Sequence, residues 1–181
     1  MQNYQKSKDL KFYELMEDPN IQLLSEKFSE IHLKSFSQES LRFSSMFIYS
    51  LLKKPNIYYI YRENVGFCIY SFYKEEAEII TMAILPKYQN QGIGFLIMKE
   101  LEEILLYFNC NKIFLEVASN NLIAIKLYIN SGFKKIGIRK SYYKISKYKK
   151  VDAFLMKKLV KLKILVFKFI SKLNSFLLHP I

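Results

Sequence analysis

Apolar and polar positions change period several times along the chain, and each change marks an element. Lys11 to Met16 reads as a first strand. Behind Asp18-Pro19, Ile21, Leu24, Phe28 and Ile31 recur at helical spacing; Asp suits an N-cap and Pro the first helical position. Ser37 opens a second helical run that carries Leu41, Met46, Phe47 and Leu51. Pro55-Asn56 is a turn. Ile57–Tyr61 and Val65–Phe72 read as a hairpin about Glu63-Asn64. A strand around Ile79 follows. Then Ile97, Leu101, Ile104, Leu105 and Phe108 fall on one face of a helix running from Gly92 to Tyr107. Lys112–Val117 alternates as a strand. Asn120-Asn121 starts a further helix with Ile125, Tyr128 and Ile129, which Gly132 ends. Lys135–Tyr143 and Val151–Met156 are the last two strands. This order mixes antiparallel strands with one central crossover, which predicts an α/β fold on a mixed sheet.

The junction between the strand at Ile79 and the helix after it carries a chemical signal. The segment reads AEIITMAILPKYQNQGIG from Ala77 to Gly94. A strand that feeds a glycine turn opening a helix predicts an anion site. The first helical N–H groups lack internal partners, and the helix dipole favours negative charge there. Glycine lets a phosphate approach the backbone. The spacing is Gln89-x-x-Gly92-x-Gly94, with neither the Gly-Lys-Ser/Thr of a P-loop nor a Gly-x-Gly-x-x-Gly dinucleotide fingerprint.

Composition narrows the classes. At 181 residues, 51% apolar, with 5 glycines and 4 prolines, the chain suits one globular domain. The net charge of +12 is unevenly placed: residues 1–133 hold 14 basic and 15 acidic side chains, residues 134–181 hold 14 basic and only Asp152. Cys68 and Cys110 lie in apolar runs without a CxxC, so buried free thiols are expected. His32 and His179 stand alone, which argues against a metal enzyme. The start, MQNYQKSKDL, has no apolar leader segment, so a cytoplasmic protein is expected.

Candidate chemistry lies just past the phosphate-site helix. In Lys112–Val117, Ile113, Leu115 and Val117 face one way and Lys112, Phe114 and Glu116 the other. Glu116 beside an aromatic ring would be partly desolvated and suited to take a proton from an amine. Tyr128, 12 residues on, could protonate a departing thiolate. Spacing alone leaves other roles open: strand glutamates are usually solvated or ion-paired, and a tyrosine among 14 is usually core.

The turn Gln89–Gly94 and the segment FLEVASNNLIAIKLYINSGF, residues 114–133, resemble the GNAT acetyltransferases. RKSYY (139–143) and Asp152-Ala153 are similar to the RimI-type branch, N-terminal acetyltransferases acting on ribosomal protein S18 and its relatives. The resemblance covers about residues 57–156. It implies a mixed sheet split by a bulge, with acetyl-CoA between the diverging strands and no metal. It implies that Met82, Ala83 and Ile84 offer backbone groups to the pantetheine and acetyl. Gln89, Asn90, Gln91, Gly92, Ile93, Gly94 and Phe95 would hold the pyrophosphate, and Asn121 would contact the cofactor. Glu116 matches the general base, Tyr128 the general acid to the CoA sulfur, and Tyr142 would hold the acceptor peptide.

Some positions depart from the family pattern. Asn90 and Gln91 stand where a basic residue is usual, and Phe95 where Arg is frequent, so phosphate holding falls to backbone N–H groups, aided by Lys87 or Lys99. The entrance loop usually holds Pro-Trp and here reads Ser35-Phe36-Ser37-Gln38. Lys144, Lys147, Lys149 and Lys150 would suit an acidic peptide or RNA, or form a solvated loop. The expected organisation is an acetyltransferase domain over residues 1–156 and a basic amphipathic C-terminal helix over 157–181. In that tail Leu162, Leu165, Val166, Phe169, Ile170, Leu173, Phe176 and Leu177 form a helical stripe. Lys161, Lys163, Lys168 and Lys172 interrupt it, which excludes a membrane span. The helix would pack on its own domain, on an anionic membrane surface, on a second copy or partner, or against ribosomal RNA. The function expected is transfer of acetyl from acetyl-CoA to a protein N-terminal α-amine. The alternatives are another amine acceptor (lysine side chain, polyamine or aminoglycoside) and a non-catalytic RNA- or membrane-binding module.

Overall fold

A computed structural model describes residues 20–36, 42–146 and 149–160. The elements in chain order are α1 (Ile21–Ser35), α2 (Ser45–Leu52), β1 (Ile57–Arg62), β2 (Gly66–Tyr73), β3 (Glu76–Ile84), a short 3-10 turn (Pro86–Tyr88), α3 (Ile93–Tyr107), β4 (Lys112–Ala118), α4 (Leu122–Asn130), β5 (Lys134–Lys144) and β6 (Lys150–Leu159). The strand expected at Lys11–Met16, the Asp18-Pro19 helix start and the amphipathic stripe of 162–177 lie outside the described residues.

The six strands form one mixed sheet in the order β1-β2-β3-β4-β6-β5. Among the described strands only β3 and β4 run parallel, joined through α3 as a crossover; the remaining neighbours are antiparallel. The β1–β2 hairpin turns at Asn64, whose φ of 55° is a left-handed conformation that Asn tolerates. Two apolar clusters sandwich the sheet. On one face Ile97, Met98, Leu101 and Leu105 of α3 and Tyr128 of α4 pack on Cys68, Tyr70, Ile79, Ile113, Leu115 and Met156. On the other, Phe28 and Ile31 of α1 and Ile48, Leu51 and Leu52 of α2 cover Ile57, Phe67, Ile69 and Ala83. Phe28 and Phe67 stack with ring centroids 4.2 Å apart.

Two sequence-based boundaries differ. The helix that carries Met46, Phe47 and Leu51 begins at Ser45 and does not extend back through residues 42–44, which are tied to α1; the expected start at Ser37 lies outside the described residues. Arg42 Nε donates to Phe36 O, Ser29 Oγ to Phe43 O, and the Phe43 N–H to His32 Nδ1. Ser44 then caps the helix by accepting from the Phe47 N–H at 3.2 Å. The last strand runs to Leu159, past the expected end at Met156. Leu159 pairs with Lys112, Lys158 reaches Glu102 at 2.8 Å, and Val160 is buried. The expected domain boundary at 156 therefore falls inside β6.

Candidate active site

The sheet opens at one level, and both strands around the opening have a local reason to part. β3 pairs with β4 over only four residues, from Glu76–Lys112 to Ile79–Leu115. One residue later β3 carries a bulge: Tyr70 pairs with Ile79 and Ile69 with Thr81, which leaves Ile80 without a partner. An extra residue bends a strand and increases its twist. The edge of β3 from Ile80 to Ile84 and β4 from Glu116 to Ala118 thus face each other without a ladder. Met82, Ala83 and Ile84 lie along one side of the gap, and Glu116 is the first residue on the other.

The anion turn sits at the open end. Gly92 is the N-cap of α3 at φ 79°, a left-handed conformation that suits glycine. No side chain caps α3 and its first turn has no acidic residue. Its first N–H groups are thus left for an anion. A Cβ on Gly92 would meet nothing within 4 Å, so open space lies over the turn. Gly94 is needed for a different reason: a Cβ there would lie 2.9 Å from Leu127 Cδ2 and 3.3 Å from Ile84 Cδ1. Asn90 also takes positive φ, 59°. These features fit the pyrophosphate of a coenzyme A thioester, with Gly92, Ile93, Gly94 and Phe95 supplying the helix start.

Four expected cofactor contacts are otherwise engaged in whole or in part. Gln89 Nε2 donates to Ile84 O at 2.8 Å and Gln91 Nε2 to Lys87 O at 2.7 Å, so both side chains brace the loop from within. The Ile84 carbonyl also accepts from Ser35 Oγ at 2.9 Å, which ties α1 to the end of β3 and leaves that carbonyl little capacity for a ligand. Asn121 caps α4: its Oδ1 accepts from the Ala124 N–H at 3.1 Å, so only its amide NH2 is left to face a cofactor. Lys87 rests over the Tyr88 ring, 4.7 Å from the centroid.

Glu116 points to the face away from α3, as the alternation of β4 requires. It is not left alone with an aromatic ring. Arg139 Nη1 on β5 donates to its Oε1 at 2.7 Å, reaching across β6. The Arg139 guanidinium lies over the Tyr142 ring at 4.7 Å. Tyr143 donates a long hydrogen bond, 3.5 Å, to the Glu116 carbonyl oxygen. A cleft of about 390 Å³ opens beside Glu116 on this face, lined also by Tyr73, Glu78, Phe114, Ile136 and Leu155.

Tyr128 is buried in α4 against Phe133, centroids 5.8 Å apart. Its helix stops in a reciprocal C-cap: Gly132, at φ 92°, donates to Ile129 O, and Phe133 N–H to Tyr128 O. Burial pushes the Tyr128 phenol well above its ordinary value, with the Cys68 thiol and the Tyr143 phenol adding to the effect. It stays a protonated donor across the neutral range. Burial likewise pushes the Tyr143 phenol up to about 12, with Glu116 contributing.

The structure thus sets Glu116 at the edge of the split and the Gly92–Gly94 turn at its open end, with Arg139 and Tyr143 against Glu116, while Tyr128 lies in α4 within the buried cluster on the α3 face. Sequence reasoning singled out RKSYY but chose Tyr142 from it. Tyr142 is 49% exposed and lies under the Arg139 guanidinium that pairs with Glu116. The missing signal was pairing: only the β4-β6-β5 order puts RKSYY over Glu116.

Residues 18–133 match the acetyltransferase (GNAT) family model. The chain is 35% identical over 83 residues to the N-alpha-acetyltransferase RimI of Mycobacterium tuberculosis, covering 46% of this chain and 49% of that protein, about half its length. It is 32% identical over 105 residues to the [ribosomal protein bS18]-alanine N-acetyltransferase of Haemophilus ducreyi, 58% and 72% of the two chains. The crystal structure of the ribosomal-protein-S18-alanine N-acetyltransferase from Escherichia coli superposes with a TM-score of 0.67 at 23% identity, covering 77% of this chain and 89% of that one. That of Arabidopsis thaliana NAA60 in complex with acetyl-CoA gives 0.61 at 18%, covering 75% and 93%. At such identities these two are likenesses of fold.

Proposed function

The chain belongs to the acetyltransferase (GNAT) family, and from that premise we propose that it moves an acetyl group from acetyl-CoA to the α-amine of a protein N-terminus. The observation that carries the reading is the coincidence of the β3–β4 split with Glu116. The sheet opens at the residue that bears the candidate base, and the uncapped start of α3 lies at the open end. Acetyl-CoA supplies the activated acetyl thioester. The first-turn N–H groups of α3 hold its pyrophosphate, and the unpaired edge of β3 about Met82 and Ala83 lies along its pantetheine arm. Glu116 takes the proton released as the amine nitrogen bonds to the acetyl carbon. Tyr128 holds a proton for the sulfur as the C–S bond breaks. Neither cysteine takes part: burial raises both thiols, Cys68 to about 12, and keeps them protonated.

The acceptor in this reading is the N-terminus of a ribosomal protein of the S18 kind, a substrate named for several relatives. A cytoplasmic enzyme follows from that acceptor. Among the described residues no helix is long and apolar enough to cross a membrane. The catalytic domain ends after Val160 in this proposal, and residues 161–181 are an extension that the site does not require. A panel of acceptors tests the function: peptides with free and blocked N-termini, lysine side chains, polyamines and an aminoglycoside, read by mass spectrometry of the acetylated product. Transfer to free α-amines alone supports it. Transfer only to lysine or small amines would redirect the same site to another acceptor.

A further inference from the structure

Between Arg139 and Tyr143 the β5–β6 ladder slips. Arg139 pairs with Ala153 and Tyr143 with Val151, so Lys140, Ser141 and Tyr142 stand opposite the single residue Asp152. A bulge of three against one lacks one-to-one pairing with the facing strand, so its shape needs support beyond the ladder. Ser141 at its centre has φ 52°, a conformation costly for a residue with a Cβ. Asp152 meets both needs. Its Oδ1 accepts from the Ser141 N–H at 2.9 Å, and its Oδ2 from Lys140 Nζ at 2.9 Å. Its carbonyl accepts from the Ser119 N–H at 2.8 Å, just beyond the end of β4. One residue is thus fastened both to the bulge and to the strand that carries Glu116.

The flanks of this bulge make the acceptor side of the site. Arg139 pairs with Glu116 and stacks on Tyr142, and Tyr143 bonds to the Glu116 carbonyl. We propose that Asp152 is a positioning residue for the acceptor: by capping Ser141 it fixes the 140–142 bulge, and so the approach of Arg139 and Tyr142 to Glu116. The inference rests on the acetyltransferase reading and names the element that selects its acceptor. The hydrogen bonds of Asp152 run to Lys140, Ser141 and Ser119 and to no residue of β3 or α3, so its loss should weigh more on the peptide than on acetyl-CoA. The Lys140 ammonium and the Ser141 N–H hold the Asp152 carboxyl below the usual carboxylate range, which keeps it a charged acceptor.

The test is steady-state kinetics of the full chain with a free N-terminal peptide, alongside hydrogen exchange over residues 139–143. Asp152→Ala should raise the peptide KM about tenfold, the scale of losing a hydrogen bond to a charged group. Its kcat and acetyl-CoA affinity should stay near wild type, and the Ser141 amide should exchange faster. Asp152→Asn keeps an oxygen for the Ser141 N–H and should restore most of the KM. Ser141→Gly, which relieves the positive φ, should partly rescue Asp152→Ala. Lys140→Ala leaves the cap intact and should behave as wild type; a tenfold KM rise there would assign the effect to the ion pair and overturn the cap. Unchanged exchange at Ser141 in Asp152→Ala would sink the inference whatever the kinetics. A wild-type chain that acetylates no peptide would instead refute the proposed function, and the exchange data would still decide whether Asp152 holds the bulge.

Discussion

Replacing Glu116 by Gln preserves the size of the side chain and removes its charge, and the structure separates the two consequences. The Glu116–Arg139 pair is open to water on its Arg139 side, with exposures of 22% and 51%. Ion pairs of this kind contribute roughly 0–1 kcal/mol to stability. At about 2–4 °C per kcal/mol for a domain of this size, the melting temperature should fall by a few degrees at most. The amide oxygen can still accept from Arg139, which trims even that loss. The kinetic effect is on another scale. A general base is commonly worth about 10²–10⁴ in rate, or roughly 2.7–5.4 kcal/mol in the barrier at 1.36 kcal/mol per tenfold. Glu116→Gln should therefore lose most of its turnover while remaining folded and binding acetyl-CoA normally. The assay is release of the CoA thiol at saturating peptide from about pH 6 to pH 9, with calorimetry for cofactor affinity and a thermal melt for stability. A kcat within about threefold of wild type across that range would refute the assignment of the base to Glu116, and would turn attention to Glu78, the other carboxylate named in the same cleft. A large loss accompanied by a melting drop well beyond a few degrees would instead make Glu116 a structural residue.

Other outcomes follow from the same geometry. Tyr128→Phe removes a buried hydroxyl without changing the packing against Phe133, and should lower kcat about tenfold or more with little change in peptide KM; an effect on peptide KM alone would make Tyr128 an acceptor contact. Gly92→Ala meets no neighbouring atom and bears only a strain of about 1 kcal/mol from its φ of 79°, so it should fold yet weaken acetyl-CoA binding; unchanged affinity by calorimetry would remove the pyrophosphate from this turn. Gly94→Ala drives a methyl against Leu127 and Ile84 and should destabilise the fold by about 1–3 kcal/mol, measured by denaturant melts. His32 is buried between the rings of Phe36 and Phe43, and burial lowers it from 6.5 to about 4. The unfolded chain then binds more protons between those values, so stability is fully present above pH 6.5 and is lost as pH falls toward 4, by roughly 3 kcal/mol at most. His32→Phe should show a flatter stability curve than wild type over that window, and an identical slope would count against a neutral buried His32. A chain ending after Val160 should still acetylate peptide, because every site residue precedes it; loss of folding would place residues 161–181 in the core.

Much of this molecule is determined by local sequence. The alternation of Lys112–Val117 already turned Glu116 away from the apolar core, because successive strand residues face opposite ways. Gly92 and Gly94 marked the start of α3, since one must take a positive φ and the other must let α3 close on Leu127 and Ile84. Gly132 marked the end of α4 for the same backbone reason. The hairpin at Asn64, the crossover from β3 to β4 and the burial of Cys68 and Cys110 were legible in period and punctuation. What the tertiary structure decided is pairing between segments far apart in the chain. Arg139 lies 23 residues from Glu116 and meets it only because β6 inserts between β4 and β5. Nothing in the period of either strand encodes that order. The bulge at Ile80, which parts β3 from β4, is a mismatch between two strands and belongs to neither alone. Competition for hydrogen-bonding groups was likewise invisible: the Ile84 carbonyl is taken by Gln89 and Ser35, and the Asn121 oxygen by its own helix. The helix of Met46 and Phe47 starts only at Ser45, because the backbone at Phe43 bonds to His32 and Ser29 of α1. Local preference fixes which way a residue faces, and only the folded chain fixes which partner it finds there.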